Sequence, residues 1–146
     1  MRHQNHSQRL SRKPDQARSL LKNLVTSILL YESVRTTKKR AQVVRPLVDR
    51  VIAIGKRERN DLAIRKINLI VTDVNACRKV LEVLKQRYAN RPGGFTRMLP
   101  VGQRSGDGAL MVDLSLVDAA APVIESEEEP KKELAPKKKT LTKKSA

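Results

Sequence analysis

Two groups of cationic side chains near the start of the chain are the residues best suited to chemistry with a charged partner. The first is an arm over residues 1–13, which carries four cations and two histidines but no acid and no apolar periodicity. The second is the segment 35–40, where a β-prone stretch is followed directly by Lys38, Lys39 and Arg40. Backbone N–H groups at a helix start attract phosphate, and adjacent cations strengthen that attraction. Both groups predict contact with a polyanion, with a solvated turn as the alternative for the second.

A third group of cations surrounds a glycine-rich stretch late in the chain. Arg91, Arg97 and Arg104 flank glycines that match neither the Walker pattern nor the dinucleotide fingerprint, so the glycines are best explained by turns. The three arginines either converge on one phosphate ridge or form a solvated charged face. Their spacing alone leaves both possibilities open.

Residues with catalytic or metal-binding chemistry do not form a recognisable set. His3 and His6 have no carboxylate or cysteine near them in sequence, so contact with RNA is favoured over a metal site. Cys77 lies on an apolar face and is predicted to be a buried core thiol. Asp107 and Asp113 flank a predicted strand without a general-acid partner. The sequence therefore predicts no enzyme, no metal, no cofactor and no small-molecule substrate.

Composition points to a single small domain with a polyanionic partner. The chain has 146 residues and a net charge of +16, from 31 basic and 15 acidic residues. It has no Trp, one Phe and two Tyr, which argues against an aromatic platform for stacking bases. No apolar run approaches the roughly 18 residues of a membrane span, and the start lacks the hydrophobic region of a secretory signal. We therefore expect a cytosolic protein with no membrane partner.

The chain divides into three regions by composition. Residues 1–13 form the basic arm, residues 14–118 carry the periodicity of a folded domain, and residues 119–146 form a low-complexity tail. The tail has seven lysines and five glutamates, so the first 118 residues carry +14 of the charge. A segment with this composition cannot bury enough apolar surface to fold, so we expect the tail to be disordered.

Residues 14–88 have the apolar spacing of four helices. The first opens at Pro14, the second is predicted over 37–54, and two more over 61–70 and 73–88. Thr37 is a plausible N-cap of the second helix. Pro46 should kink or shorten that helix, and Gly55 should end it.

After residue 94 the spacing of apolar residues changes from the 3.6-residue period of a helix to the two-residue period of a strand, which predicts strands. One β-prone run covers 95–101, and residues 32–36 supply a third strand. In the run 110–116 the alternate residues Leu110, Val112, Leu114 and Leu116 are all expected to pack on the helices. The predicted fold class is α+β, with about four helices packed on one face of a small, mainly antiparallel sheet.

Several separated motifs follow one another in a recognisable order: MRH at 1–3, RLSR at 9–12, LLKNL at 20–24, ESVRTT at 32–37, RAQVVRPLVDRVI at 40–52 and RYANRPGGFTRMLPVGQRSGDGALMVDLSLVD at 87–118. Together these pieces resemble one family, the bacterial large-subunit ribosomal proteins numbered seventeen. The resemblance covers residues 1–118 and not the tail. It implies a structural protein that binds large-subunit ribosomal RNA beside other ribosomal proteins near the nascent-chain exit.

Charge and resemblance together predict an rRNA-binding constituent of the large ribosomal subunit. The alternatives are a sequence-indifferent, nucleoid-type DNA-binding protein, which usually shows an intercalating wedge, and an RNA-processing enzyme, which needs an acid–base or metal site. The expected RNA-binding residues are cations of the three groups and one histidine: Arg2, His3, Arg9, Arg12, Lys13, Arg35, Lys38, Lys39, Arg40, Arg91, Arg97 and Arg104.

Overall fold

The computed structural model describes residues 10–118. The tail 119–146 and most of the arm lie outside these residues, as do the predicted RNA-binding residues Arg2, His3 and Arg9. The predictions made for those segments therefore stay predictions.

Four helices form, as the apolar spacing predicts. They are α1 (Pro14–Tyr31), α2 (Lys38–Arg57), α3 (Asn60–Asn68) and α4, which is α-helical over Val74–Lys79, π-helical over Val80–Leu84 and α-helical again over Lys85–Arg87. Pro14 occupies the first turn of α1, where its missing N–H costs nothing. The Asp73 carboxylate caps α4 by accepting the Asn75 N–H at 2.7 Å.

The second helix runs three residues beyond its predicted end. It continues through Pro46, which is exposed, because the buried residues Val44 and Val48 hold the helix on both sides of it. Thr37 is the N-cap residue, but its side chain makes no capping hydrogen bond. Gly55 does not end the helix, which runs on to Arg57.

Gly55 is instead the point at which α2 approaches the π-helical segment of α4. A Cβ atom at this position would lie 2.8 Å from Cγ1 of the buried Val80. The prediction of a helix stop was wrong because this glycine serves a close packing contact between two elements distant in sequence.

We expect Gly55→Ala to lower the free energy of unfolding by about 1–2 kcal/mol. Overpacking costs about 1–3 kcal/mol, and the higher helix propensity of alanine returns only part of this. Gly93→Ala is the control, because no atom lies within 4 Å of a Cβ built there. Urea denaturation measures both variants, and a Gly55→Ala protein as stable as the wild type contradicts the prediction.

The sheet has three antiparallel strands in the order β1-β3-β2. They are β1 (Ser33–Thr37), β2 (Thr96–Gln103) and β3 (Leu110–Leu116), so the predicted third strand is confirmed. The helices cover one face of the sheet, where Val112, Leu114 and Leu116 are buried. Leu110 was predicted to join them, but it is 51% exposed, because it lies at the end of β3 beyond the start of α2.

The core lies between the helices and this sheet, and a polar clamp fixes the start of β2. Tyr88 and Phe95 are buried with their ring centroids 5.1 Å apart, which joins the end of α4 to the strand. The Asp49 carboxylate of α2 accepts the Phe95 N–H at 3.1 Å and the Thr96 hydroxyl at 3.2 Å. Cys77 is buried, as predicted, and burial raises the pKa of its thiol. No helix within residues 10–118 is long and apolar enough to cross a membrane.

Glu32 joins α1, the sheet and α4 at one point. Its backbone has φ 64°, a left-handed conformation, and its carbonyl accepts the Leu116 N–H at 2.8 Å. Its carboxylate lies 2.8 Å from both the Lys79 Nζ and an Arg87 guanidinium nitrogen. The hydrogen bond from Arg87, opposed by burial and aided by Lys79, holds the pKa of Glu32 below its ordinary value of 4.5.

We expect Glu32→Gln to cost about 1–3 kcal/mol of stability at pH 7, because two partly buried cations lose their partner. A lowered carboxyl pKa stabilises the fold above pH 4.5 and ceases to do so as the pH falls through the folded-state pKa. Denaturation at pH 7 and at pH 3 should therefore show the gap between wild type and variant closing at low pH. The exposed Glu82→Gln serves as control, and a gap that does not change with pH refutes the role of the carboxylate.

Candidate nucleic-acid interface

The start of α2 presents the densest group of predicted cations. Strand β1 passes directly into α2 between Thr37 and Lys38, so the strand fixes the direction of the first helical turn. Lys38 and Lys39 are exposed and Arg40 is partly buried, and none of the three forms an ion pair with another residue of the range 10–118. Uncompensated cations beside free backbone N–H groups are suited to binding phosphate.

A second group lies on the outer face of the sheet, which we define as the face opposite the helices. Arg35 on β1 is in register with Asp113, and Arg97 on β2 is in register with Ser115. Both arginines are exposed and lie on opposite edge strands, and these strands are about 10 Å apart across β3. The outer face therefore carries a guanidinium group on each edge strand, beside the exposed apolar side chain of Leu99.

Arg35 is partly neutralised by Asp113, a pairing that only the strand register reveals. Its Nε and Nη2 atoms donate to the two carboxylate oxygens at 2.9 and 3.3 Å. This hydrogen bonding raises the pKa of Arg35. Arg97 has no such partner among the described residues, so Arg97 is the freer cation of this face.

The arginines of the third group do not converge. Arg91 precedes β2 and Arg104 follows it, so the eight residues of that strand hold them roughly 25 Å apart. Arg91 lies 3.6 Å from the Asp118 carboxylate and donates to the Gly94 carbonyl at 3.2 Å. These contacts show that Arg91 supports the turn before β2.

Arg104 forms an ion pair with Asp107 inside the loop of the hairpin. The Arg104 guanidinium and the Ala109 N–H both donate to the Asp107 carboxylate. These hydrogen bonds lower the pKa of Asp107 to about 2, and the hydrogen bond from Arg104 has the larger effect. Asp107 therefore stays ionised at neutral pH and offsets the charge of Arg104.

Of the nine predicted RNA-binding residues that the structure describes, six have no ion pair within residues 10–118. They include Arg12 and Lys13, which are exposed in the bend before α1. The three paired residues are Arg35, Arg91 and Arg104. The free predicted cations thus belong mainly to the arm and the start of α2.

Sequence reasoning missed a cationic stripe along α2. Lys39, Arg50 and Arg57 recur at helical spacing and are all exposed. The helical period was sufficient to predict this stripe, because the buried residues of α2 had already been assigned to the opposite face of the helix. The candidate interface therefore extends from the start of α2 along its exposed side.

Metal chemistry finds no support in the part of the chain that the structure describes. No three histidine, cysteine or acidic side chains come together there in a way that holds an ion. What the site offers is positive charge and hydrogen-bond donors.

Comparison with known proteins gives one consistent family. The chain matches the family described as "Ribosomal protein L17" over residues 20–117. It is 39% identical over 119 residues to the "Large ribosomal subunit protein bL17" of Syntrophotalea carbinolica, covering 81% of this chain and 76% of that protein. It is 42% identical over 118 residues to the protein of that name from Dehalococcoides mccartyi, covering 80% and 99%. It is 41% identical over 127 residues to the protein of the same name from Myxococcus xanthus, covering 84% of this chain and 90% of that protein.

Proposed function

Because this chain belongs to the ribosomal protein L17 family, whose members are structural rather than enzymatic components of the large ribosomal subunit, we propose that it binds large-subunit rRNA through lysine and arginine contacts to phosphates. Such contacts bridge RNA segments that otherwise repel one another. The protein would thereby stabilise one arrangement of the RNA around it.

The observation that carries this proposal is the uncompensated charge at the start of α2. Lys38 and Lys39 are exposed, have no carboxylate partner in the range 10–118, and continue into the stripe with Arg50 and Arg57. A compact domain does not gain stability from such self-repelling charge. A polyanion alongside α2 supplies the missing counter-charge.

The arm extends the proposed interface beyond the domain. Arg12 and Lys13 lead into α1, and the sequence adds Arg2, His3 and Arg9 before them. A cationic segment without an apolar face gains most by lying along phosphates. We therefore propose that residues 1–13 contribute further phosphate contacts when the protein is bound to rRNA.

The family resemblance extends the proposal to the setting of the protein. We place it in the cytoplasm, on the ribosome, next to other large-subunit proteins near the nascent-chain exit.

A sucrose gradient of lysate from cells producing the tagged chain tests the proposal. We expect the protein to migrate with the large subunit after a high-salt wash, to be released by ribonuclease and to be unaffected by deoxyribonuclease. Migration with chromosomal DNA, or loss from the subunit in the wash, would contradict a role as a subunit constituent.

A further inference from the structure

A groove opens where the hairpin β2–β3 extends past the start of α2. One hollow of about 380 Å³ lies beside Lys38 and is lined by apolar side chains of the hairpin: Met98, Pro100, Leu110 and Val112. A neighbouring hollow of about 440 Å³ shares Lys38 and Leu110 and adds Lys39 and Gln42. We call the two together the hairpin groove.

The groove exists because the hairpin is longer than the elements that cover it. Strand β1 ends at Thr37, in register with Met111, and the chain then turns into α2. Leu110 comes one position beyond this point, pairs with Gln103 of β2 and is 51% exposed. Part of the apolar surface on the helix-facing side of the sheet is thus left without a covering element among the described residues.

The groove joins an apolar floor to a purely cationic rim. Lys38 and Lys39 line it, and no acidic residue of the range 10–118 does. Phosphates can neutralise the two lysines, but a phosphate backbone alone leaves Met98, Pro100 and Leu110 in contact with water. The groove is therefore suited to an occupant that carries both an anion and an apolar surface.

A nucleotide turned out of an RNA helix has this combination. Its base presents an aromatic face, which apolar side chains hold in sites for extruded bases, and the thioether of Met98 is a favourable neighbour for such a ring. Its phosphates remain on the outside, where the lysines lie. The Gln42 amide and the Thr37 hydroxyl, which also line the groove, can form hydrogen bonds with a ribose 2′-hydroxyl or a base edge.

The position of the groove agrees with the path proposed for the RNA. Lys39 belongs both to the groove and to the cationic stripe of α2. The stripe extends about 27 Å along the helix, from Lys39 to Arg57. An RNA strand that follows the stripe therefore passes the mouth of the groove at Lys39.

We propose that the hairpin groove receives one unpaired nucleotide of the large-subunit rRNA, with its base on Met98, Pro100 and Leu110 and its phosphates against Lys38 and Lys39. This inference rests on the proposed function and adds a contact to a base. A regular duplex keeps its bases stacked inside, so the groove selects a bulge, a loop or another unpaired position.

The variant Leu110→Gln tests the base contact, because it removes apolar surface from the floor and keeps the net charge. Leu99→Gln is the matched control: Leu99 is also 51% exposed, but it lies on the outer face of the sheet. Filter binding of the full-length chain to purified large-subunit rRNA is measured across a salt series, with an unrelated duplex as competitor. We expect Leu110→Gln to weaken binding roughly three- to tenfold, within the range for loss of a base contact, and Leu99→Gln to leave it unchanged.

The salt series separates a base contact from a phosphate contact. Leu110→Gln should leave the slope of log affinity against log salt as in the wild type, since no phosphate contact is lost. Unchanged affinity of Leu110→Gln, an equal loss in Leu99→Gln, or a reduced slope overturns the inference while the proposed function stands. A wild-type chain whose binding does not depend on salt contradicts the proposed function itself.

Photocrosslinking in purified large subunits identifies the occupant directly. With a benzophenone side chain in place of Leu110, we expect a crosslink to an rRNA nucleotide that is not base-paired. A crosslink to a paired nucleotide or to a neighbouring protein, or no crosslink at all, overturns the inference. Absence of the tagged chain from the subunits instead contradicts the proposed function.

Discussion

Leu114→Ala is expected to lower the free energy of unfolding by about 2–5 kcal/mol, the range for a buried leucine truncated to alanine. Leu114 is fully buried on the central strand β3, in register with Val34 on one side and Met98 on the other. A cavity there touches both neighbouring strands and the helices that cover them. Neighbours on a three-stranded sheet have little freedom to collapse into it.

Leu110→Ala is the matched control for that substitution, because it removes the same atoms from the same face of the same strand. Leu110 is 51% exposed, so we expect its truncation to change stability by less than about 0.5 kcal/mol. Chemical denaturation of both variants measures the difference. Equal losses at the two positions would mean that the helices cover the whole length of β3, which contradicts the exposure of Leu110.

The variant Lys38→Gln/Lys39→Gln/Arg97→Gln is expected to lower affinity for large-subunit rRNA by roughly a hundredfold at 0.1 M salt. All three side chains are exposed and have no ion pair within residues 10–118. Each phosphate contact contributes about 0.7 to 0.9 to the slope of log affinity against log salt, so the slope should fall by about 2 to 3. Filter binding across a salt series measures both quantities.

A matched change of charge elsewhere controls for the general effect of net charge. Arg59, Arg65 and Arg78 are exposed in or beside α3 and α4, away from the sheet, and form no ion pair with a described residue. Their combined change to glutamine also removes three positive charges, but we expect a smaller fall in the slope. If both triple variants weaken RNA binding equally, either the proposed interface is in the wrong place or affinity depends only on the net charge of the protein.

The helices and strands were largely predictable because their signals are local. An apolar residue every three or four positions, as in Val44, Val48, Val51 and Ile52, reports on one side of a helix whatever that side packs against. The alternation of Val112, Leu114 and Leu116 reports in the same way on one face of a strand. These patterns were sufficient for an α+β domain with four helices on a small antiparallel sheet.

The places where prediction was wrong depend on elements far apart in the chain. Gly55 has the local signature of a helix end, but its lack of a side chain serves the contact with Val80. Leu110 continues the alternation of β3, but its burial depends on where α2 begins. Neither fact is encoded within a few residues of the position concerned.

The sequence by itself determined that the chain is strongly basic and which segments carry the cations, since charge is a property of composition. Only the tertiary structure decided which of those cations are neutralised. Asp113 reaches Arg35 because the register of β1 and β3 places them opposite each other, across 78 positions of sequence. The same sheet separates Arg91 from Arg104 by the length of β2 and leaves Lys38 and Lys39 exposed at the start of α2. Electrostatic compensation depends on distance in space, and the strand pairing sets that distance.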